Sequence, residues 1–466
     1  MACRLRLSIL PAAWLVLSVN VLAAGQNATA DAVVGWVAGP SERGTLNLVW
    51  SCVITIFACT WTVLHLNVPG LHEGPWRRGL RKAKWMAINV LFPEFILSKA
   101  VCDLRQALYD LCEFDEKMSV SPRILWTMES DRTATETGTR VVLANRPADD
   151  WQTTQRWTLA HSYYAQMGGL IYVGPSSDRG EPAYYVARPS SLIWRFMWTP
   201  DHHPLYYLVL SEQDIQDRSK ADWLVKSIAL MQITWLVLNV AVRRSTGLPV
   251  TQLEIATLSF AVMAIITYLA NWWKPKDVSQ PTILPAVYET LAFSIHEGAF
   301  DRTQPFTRRL WSPAQAAMDA ASIPDLERVP NDVVWMEGAT PLMLVLMAIS
   351  SLVFGGLHCL AWSFEFPTPA ERICWRVASL VSAILPVATL GASAVLNHLS
   401  TTSAESRILS TFLTKLRPLK QLPLECGILY TAARLAILVL VFTSLRRVPA
   451  GVYQDTPWTR FLPTFS

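Results

Sequence analysis

A run of about 20 consecutive, mostly apolar residues leaves a chain few options, because a helix of that length matches the hydrocarbon thickness of a bilayer and satisfies its own backbone polar groups. Such runs occupy residues 45–66, 223–242, 252–272, 338–362, 377–398 and 426–445. The second carries Lys226 near its start, the third Glu254 near its start and the last Arg434 in its interior. The expected fold is therefore mainly α: a multi-pass transmembrane helical bundle of six crossings, with the bilayer itself as first partner. Only 16% of the residues are charged, well below the ~25% of an average soluble protein. A mean hydropathy of +0.27 leaves room for sizeable polar stretches between the runs.

The amino terminus reads as an address. Arg4 and Arg6, the apolar stretch Leu7 to Leu22, and the small residues Ala23, Ala24 and Gly25 have the three-part organisation of a secretory signal peptide over residues 1–25, although an uncleaved signal anchor has the same pattern. Asn27-Ala28-Thr29 follows, a glycan acceptor that is modified only on the lumenal side. Residues 26–44 are thus expected to be lumenal or extracellular, in a membrane of the secretory pathway.

Charge bias gives the same orientation. After the first run come Arg77, Arg78, Arg81, Lys82 and Lys84, a strong positive-inside signal. Alternation then places a segment at 67–222, a loop at 273–337 and a loop at 399–425 on the cytosolic side, and a tail at 446–466 outside. The inner side receives Lys274, Lys276, Arg407, Lys415, Arg417 and Lys420, the outer side Arg243, Arg244, Arg372 and Arg376. One stretch, 85–98, is apolar but short, and Pro93-Glu94 interrupts it between Lys84 and Lys99. It is expected to lie in the interface or to re-enter rather than cross.

The 67–222 segment is expected to hold a small mixed α/β unit against the membrane, with β-rich pieces at Thr139 to Leu143 and Leu170 to Val173. Ser211 to Lys226 is expected to be a helix capped by Ser211 that leads into the second run. Trp50, Trp61, Trp223, Trp272, Trp273 and Trp362 stand near run ends, where indole suits the headgroup boundary.

Several strings carry a resemblance. Arg43-Gly44-Thr45 before Leu48-Val49-Trp50-Ser51-Cys52, the stretch Cys59-Thr60-Trp61-Thr62-Val63-Leu64-His65-Leu66-Asn67-Val68-Pro69, Thr158 to Gly169, Trp272-Trp273-Lys274-Pro275-Lys276-Asp277-Val278, and Leu357-His358-Cys359-Leu360-Ala361-Trp362 are similar to a family of uncharacterised fungal multi-pass integral membrane proteins. The resemblance runs from about residue 43 to near the carboxyl end. It implies the membrane architecture and no activity, and it brings no catalytic residue with it.

Candidate chemistry rests on a few polar side chains. Arg434 is the sharpest, since an arginine at the centre of a span costs about 2.5–3.5 kcal/mol on insertion scales. Two readings stand: a buried cation facing a cavity or an anionic ligand, or a helix that begins later so that Arg434 snorkels to the cytosolic headgroups, the more economical of the two. Glu254 and His358 fall near outer span ends with Glu365 in the adjoining loop, where a carboxylate and an imidazole can relay protons or hold a cation. Each is equally at home as an interfacial residue in water. His65, at the inner end of the first run, and His161, before Tyr163-Tyr164, fit satisfied structural histidines better than ligands.

No phosphate loop, H-E-x-x-H helix or nucleophile elbow is present, so no catalytic, cofactor-binding or metal-binding set is assigned and enzymatic activity stays open. His296-Glu297 and Asp201-His202-His203-Pro204 are weak metal hints only. A net charge of +4 without a basic stripe argues against nucleic acid. Three functions remain: transport of a small solute or ion, a non-catalytic organiser or sensor whose cytosolic segment binds partners, and a membrane-embedded lipid- or glycan-modifying enzyme.

Overall fold

The structure, a computed structural model, describes residues 33–34, 44–120, 157–174, 183–187, 189, 192, 210–219, 223–284, 303–306, 328–335, 342–402 and 422–456. Within them the chain is mainly helical. The helices are α1 (Thr45–Thr62), α2 (Pro75–Leu91), α3 (Pro93–Val120), α4 (Leu159–Gln166), α5 (Glu212–Arg218), α6 (Trp223–Ser245), α7 (Gln252–Ala270), α8 (Leu342–Cys359), α9 (Pro369–Thr402) and α10 (Leu422–Thr443). Short strands join them: β1 (Val33–Val34), β2 (Leu170–Gly174), β3 (Ala183–Val186), β4 (Thr282–Ile283), β5 (Thr303–Pro305), β6 (Val333–Trp335) and β7 (Val448–Pro449).

Among the described residues, five helices are long and apolar enough to cross a membrane: α1, α7, α8, the 369–395 part of α9, and residues 425–446, which include most of α10. The helix expected as the second crossing also forms, as α6. At 23 residues it is about 35 Å long at 1.5 Å per residue.

The long helices alternate between two ends of a bundle, which contacts at each end establish. At the Thr45 end, Thr45 Oγ1 is 2.7 Å from the Tyr453 hydroxyl. Arg243, closing α6, donates to the carbonyls of Pro249, Gly451, Val452 and Gln454. Gln252, opening α7, donates to the Glu365 carbonyl, and Arg446 after α10 pairs with Glu371 at the start of α9. At the Thr62 end, Lys276 Nζ donates to the Thr62 carbonyl at 2.7 Å. There Tyr163 donates its hydroxyl proton to the carbonyl of Ala270, the last residue of α7, at 2.8 Å.

Helix α7 is the most enclosed of the five and packs on α1, α3 and α8. Phe260, Met263 and Ala264 interlock with Cys59, Leu97, Ile233 and Phe354. Helices α8 and α9 approach closely where Gly355 meets Ala383. A Cβ on Gly355 would sit 2.5 Å from the Ala383 nitrogen. Pro386 lies inside α9 without ending it.

Helices α2 and α3 form a sharply bent pair, turned by 108° at Phe92. Pro93 lacks an N–H and disfavours helix at the preceding residue, so Phe92 leaves the helical region (φ −134°, ψ 62°) and the helix restarts. Both arms return to the Thr62 end. Lys82 on α2 bonds Asp277 at 2.7 Å, and Asp103 on α3 receives Lys274 Nζ at 2.6 Å, so the two arms grip one segment just after α7. The element expected at 85–98 therefore occupies a longer stretch with its break inside it.

Against the same end stands a three-stranded sheet in the order β3–β2–β4, antiparallel between β2 and β3 and parallel between β2 and β4. Met167, Leu170, Leu210, Ile215 and Leu284 pack it against α4 and α5. The helix expected over Ser211 to Lys226 is shorter: a capping box between Ser211 and Asp214 starts it, and Ser219 turns extended (ψ 118°), so α5 stops at Arg218. The β-rich piece at 139–143 lies outside the described residues.

Candidate functional site

Arg434 sits twelve residues into α10 and its side chain is 3% exposed, which overturns the snorkelling expectation. Its guanidinium lies over the Phe354 ring of α8, 3.8 Å from the centroid. Nε donates to the Leu91 carbonyl at 2.9 Å, and Nη2 stands 3.6 Å from Glu94 Oε2. Glu94 is 1% exposed, and Tyr430, one turn earlier on α10, donates its hydroxyl proton to Glu94 Oε1 at 2.6 Å.

The helix break makes this arrangement possible. Leu91 closes α2, so its carbonyl is one of the acceptors a helix leaves without an internal donor. Glu94 is in the first turn of α3, where the amide ends favour an anion. The cation thus caps the negative end of one helix while the anion occupies the positive end of the next, and each compensates the other. Phe92 stacks on Tyr430 with centroids 6.1 Å apart, which fixes the turn against α10.

At 3.6 Å the Arg434–Glu94 contact is an ion pair too long for a hydrogen bond. Nη2 and Oε2 each lack a hydrogen-bond partner among the described residues. Two more buried polar groups on α9, the Ser379 and Ser382 hydroxyls, have none either. Buried polar atoms are satisfied in the great majority of cases, so two facing charged atoms that each lack a hydrogen bond make this an under-satisfied ion pair.

The other candidates divide. Glu254 is the third residue of α7, and its carboxylate accepts from the Thr251 backbone N–H at 2.9 Å and the Thr251 hydroxyl at 3.0 Å, closing a capping box. His358 is buried on α8 one turn beyond Phe354. Its Nδ1 is 2.8 Å from the Phe354 carbonyl and its ring lies 4.7 Å from the Phe354 ring that Arg434 covers, so the two share that neighbour. Glu365 enters through its backbone carbonyl, which accepts from Gln252. His65 sits at the opposite end, Nδ1 3.0 Å from the Val63 carbonyl and ring edge-on to Tyr268 at 6.4 Å. Asn27, His296-Glu297 and the 201–204 histidines lie outside the described residues.

Sequence reading missed Glu94 and Tyr430 as site residues, treating Glu94 only as an interruption. A signal existed: an acid within one apolar stretch and an arginine within another are complementary charges, each costly alone.

His161 belongs to the sheet unit. Nδ1 accepts from the Thr158 backbone N–H at 3.2 Å, and Nε2 is 3.0 Å from the Leu210 carbonyl, to which it donates in the neutral tautomer with its proton on Nε2. Burial disfavours the charged ring and holds its pKa below the ordinary 6.5, outweighing the favourable contribution of the Leu210 carbonyl. Between its folded value and 6.5 the unfolded chain binds more protons, so stability is complete above pH 6.5 and is lost as pH falls below it. We expect His161→Gln to flatten that acid-side slope in pH-dependent melting curves. An unchanged slope would show that other groups set it.

A family model described as a family of unknown function (DUF8562) matches residues 13–296 and 341–465. No curated protein matches, and no solved structure matches. With two blocks that together span most of its length, the chain belongs to this family of unknown function, DUF8562.

Proposed function

We propose that the chain is an integral membrane protein of the secretory pathway that moves a small polar solute or an ion, and that the centre formed by Glu94, Tyr430 and Arg434 is where the load is held. Support for the membrane comes from the outward faces of the long helices. Leu46, Trp50, Ile54 and Phe57 on α1, and Ile373, Val377, Leu380, Ile384 and Val387 on α9, are exposed at helical spacing. Apolar faces of that extent need a covering, and acyl chains supply it. In this reading α1, α6, α7, α8, α9 and α10 cross, the Thr62 end is cytosolic, residues 1–25 are removed and Asn27 carries sugar. The strings similar to fungal multi-pass proteins favour the same architecture.

The observation that carries the transport reading is the ion pair at the helix break. Transporters commonly build their sites from discontinuous helices whose facing ends present charge near mid-membrane. The Leu91–Glu94 turn, with Arg434 and Glu94 each holding one unfilled position, has that character. An embedded enzyme or a non-catalytic organiser remains as the competing class.

Tyr430→Phe removes one hydrogen bond to the carboxylate and keeps the ring. We expect it to slow uptake of the transported member of a screened solute panel roughly tenfold, the effect of losing one charge-assisted hydrogen bond, at normal membrane abundance. An organiser would keep its cellular phenotype in this variant, and unchanged fluxes across the panel would remove the transport reading.

A further inference from the structure

Helix α2 presents a face that neither the bundle nor the proposed transport centre uses. Its inward side carries Trp85 and Asn89, both buried, the latter donating to the Thr60 carbonyl at 3.0 Å. Its inward basic groups are engaged: Arg81 with Glu73 at 3.1 Å and Lys82 with Asp277 at 2.7 Å, while Arg78 reaches the Ser279 carbonyl at 3.4 Å. The opposite side carries Trp76, 76% exposed, and Leu80, 54% exposed, followed by exposed Ala83 and Ala87. These four recur at helical spacing along one stripe pointing away from the protein. Flanking the stripe, one above the other at seven-residue spacing, are exposed Arg77 and Lys84, which have no ionic partner among the described residues.

We propose that this outward face of α2 binds the headgroups of anionic phospholipids, with Arg77 and Lys84 on the phosphates and Trp76, Leu80, Ala83 and Ala87 in the upper acyl region. This rests on the membrane reading above and is independent of whether anything is transported. Three observations single out an anionic lipid as the occupant. The free charges are both positive and lie beside an apolar stripe, the pattern of an interfacial helix. The α2–α3 turn of 108° sets α2 steeply across the direction of α3. Through its inward side α2 also lies beside the ends of α1 and α7, where exposed Trp272 and Trp273 and the partly exposed Trp61, under Lys82, stand, a setting typical of the headgroup boundary.

The test uses the full chain purified in a zwitterionic detergent, titrated with short-chain phosphatidylserine or phosphatidylcholine and followed by microscale thermophoresis. The wild type should bind phosphatidylserine more tightly. In R77Q/K84Q that preference should fall roughly tenfold, since each basic residue near an anionic surface is worth several-fold in affinity. Both residues are exposed, so an unchanged melting temperature should accompany the loss, and raising salt should mimic it. Trp76→Ser with Leu80→Ser should weaken both lipids alike. Equal binding of the two lipids by the wild type, or a preference that survives R77Q/K84Q, overturns the proposal while leaving the membrane reading intact. A chain that stays soluble without detergent and binds neither lipid overturns both.

Discussion

Arg434→Leu is expected to destabilise the protein by about 3–5 kcal/mol, the effect of leaving one member of a buried ion pair behind. Glu94 is then a buried carboxylate whose remaining partner is the Tyr430 hydroxyl, and the Leu91 carbonyl loses its donor. Folding in lipid or detergent offers no water in exchange. The measurement is a double-mutant cycle on purified protein, with unfolding followed as a function of denaturant. Glu94→Gln combined with Arg434→Leu should recover a large part of the loss, because the isolated charge is what destabilises. Additive losses, with no recovery in the double variant, would mean that the two side chains do not compensate each other.

The second large effect is steric. Gly355→Val places its Cβ 2.5 Å from the Ala383 nitrogen and 2.7 Å from the Ala383 Cα, both backbone atoms that cannot rotate away. Helices α8 and α9 must separate, and we expect about 1–3 kcal/mol of destabilisation or more. Ala383→Gly should not rescue it, since removing that Cβ leaves the nearer backbone atoms in place. The adjacent Gly356 has nothing within 4 Å of its would-be Cβ. Gly356→Ala should therefore be neutral or stabilising by up to about 1 kcal/mol, as glycine is the poorer helix former. Equal melting temperatures for Gly355→Val and Gly356→Ala would contradict the tight α8–α9 crossing.

Much of the helical frame was legible because hydrophobic length is a local property. The apolar runs at 45–66, 252–272, 338–362, 377–398 and 426–445 lie where α1, α7, α8, α9 and α10 form. Pro93 likewise announced a discontinuity at 85–98, since a proline acts on its immediate neighbours. Ends were less legible: α9 starts at Pro369, before its apolar run, and α5 stops at Arg218 although charged residues continue. Cap residues help here, and Ser211 and Thr251 mark real starts.

The site was legible only by halves. Arg434 stood out because a charge in a span is anomalous by itself, yet its partner lies on another element, with Glu94 and Tyr430 separated by 336 positions. Periodicity tells which face of a helix is apolar and says nothing of which helix meets it. Without the 108° turn, α3 cannot bring Glu94 beneath α10, and that angle is set by tertiary packing of Phe92, Trp85 and Phe95 rather than by the local run. Glu254 shows the converse: a carboxylate at a span end that looked chemical closes a capping box with Thr251.

The proposed architecture makes the α2–α3 pair a hairpin that returns to the side it left, so six helices cross and the carboxyl terminus emerges on the same side as Asn27. A glycan acceptor tag appended after Ser466, assayed by endoglycosidase shift in carbonate-washed membranes, tests this directly. The tag should carry sugar in protein that remains with the membrane pellet. A bare tag on membrane-retained protein whose Asn27 is glycosylated, or release of the protein by the carbonate wash, would contradict the account.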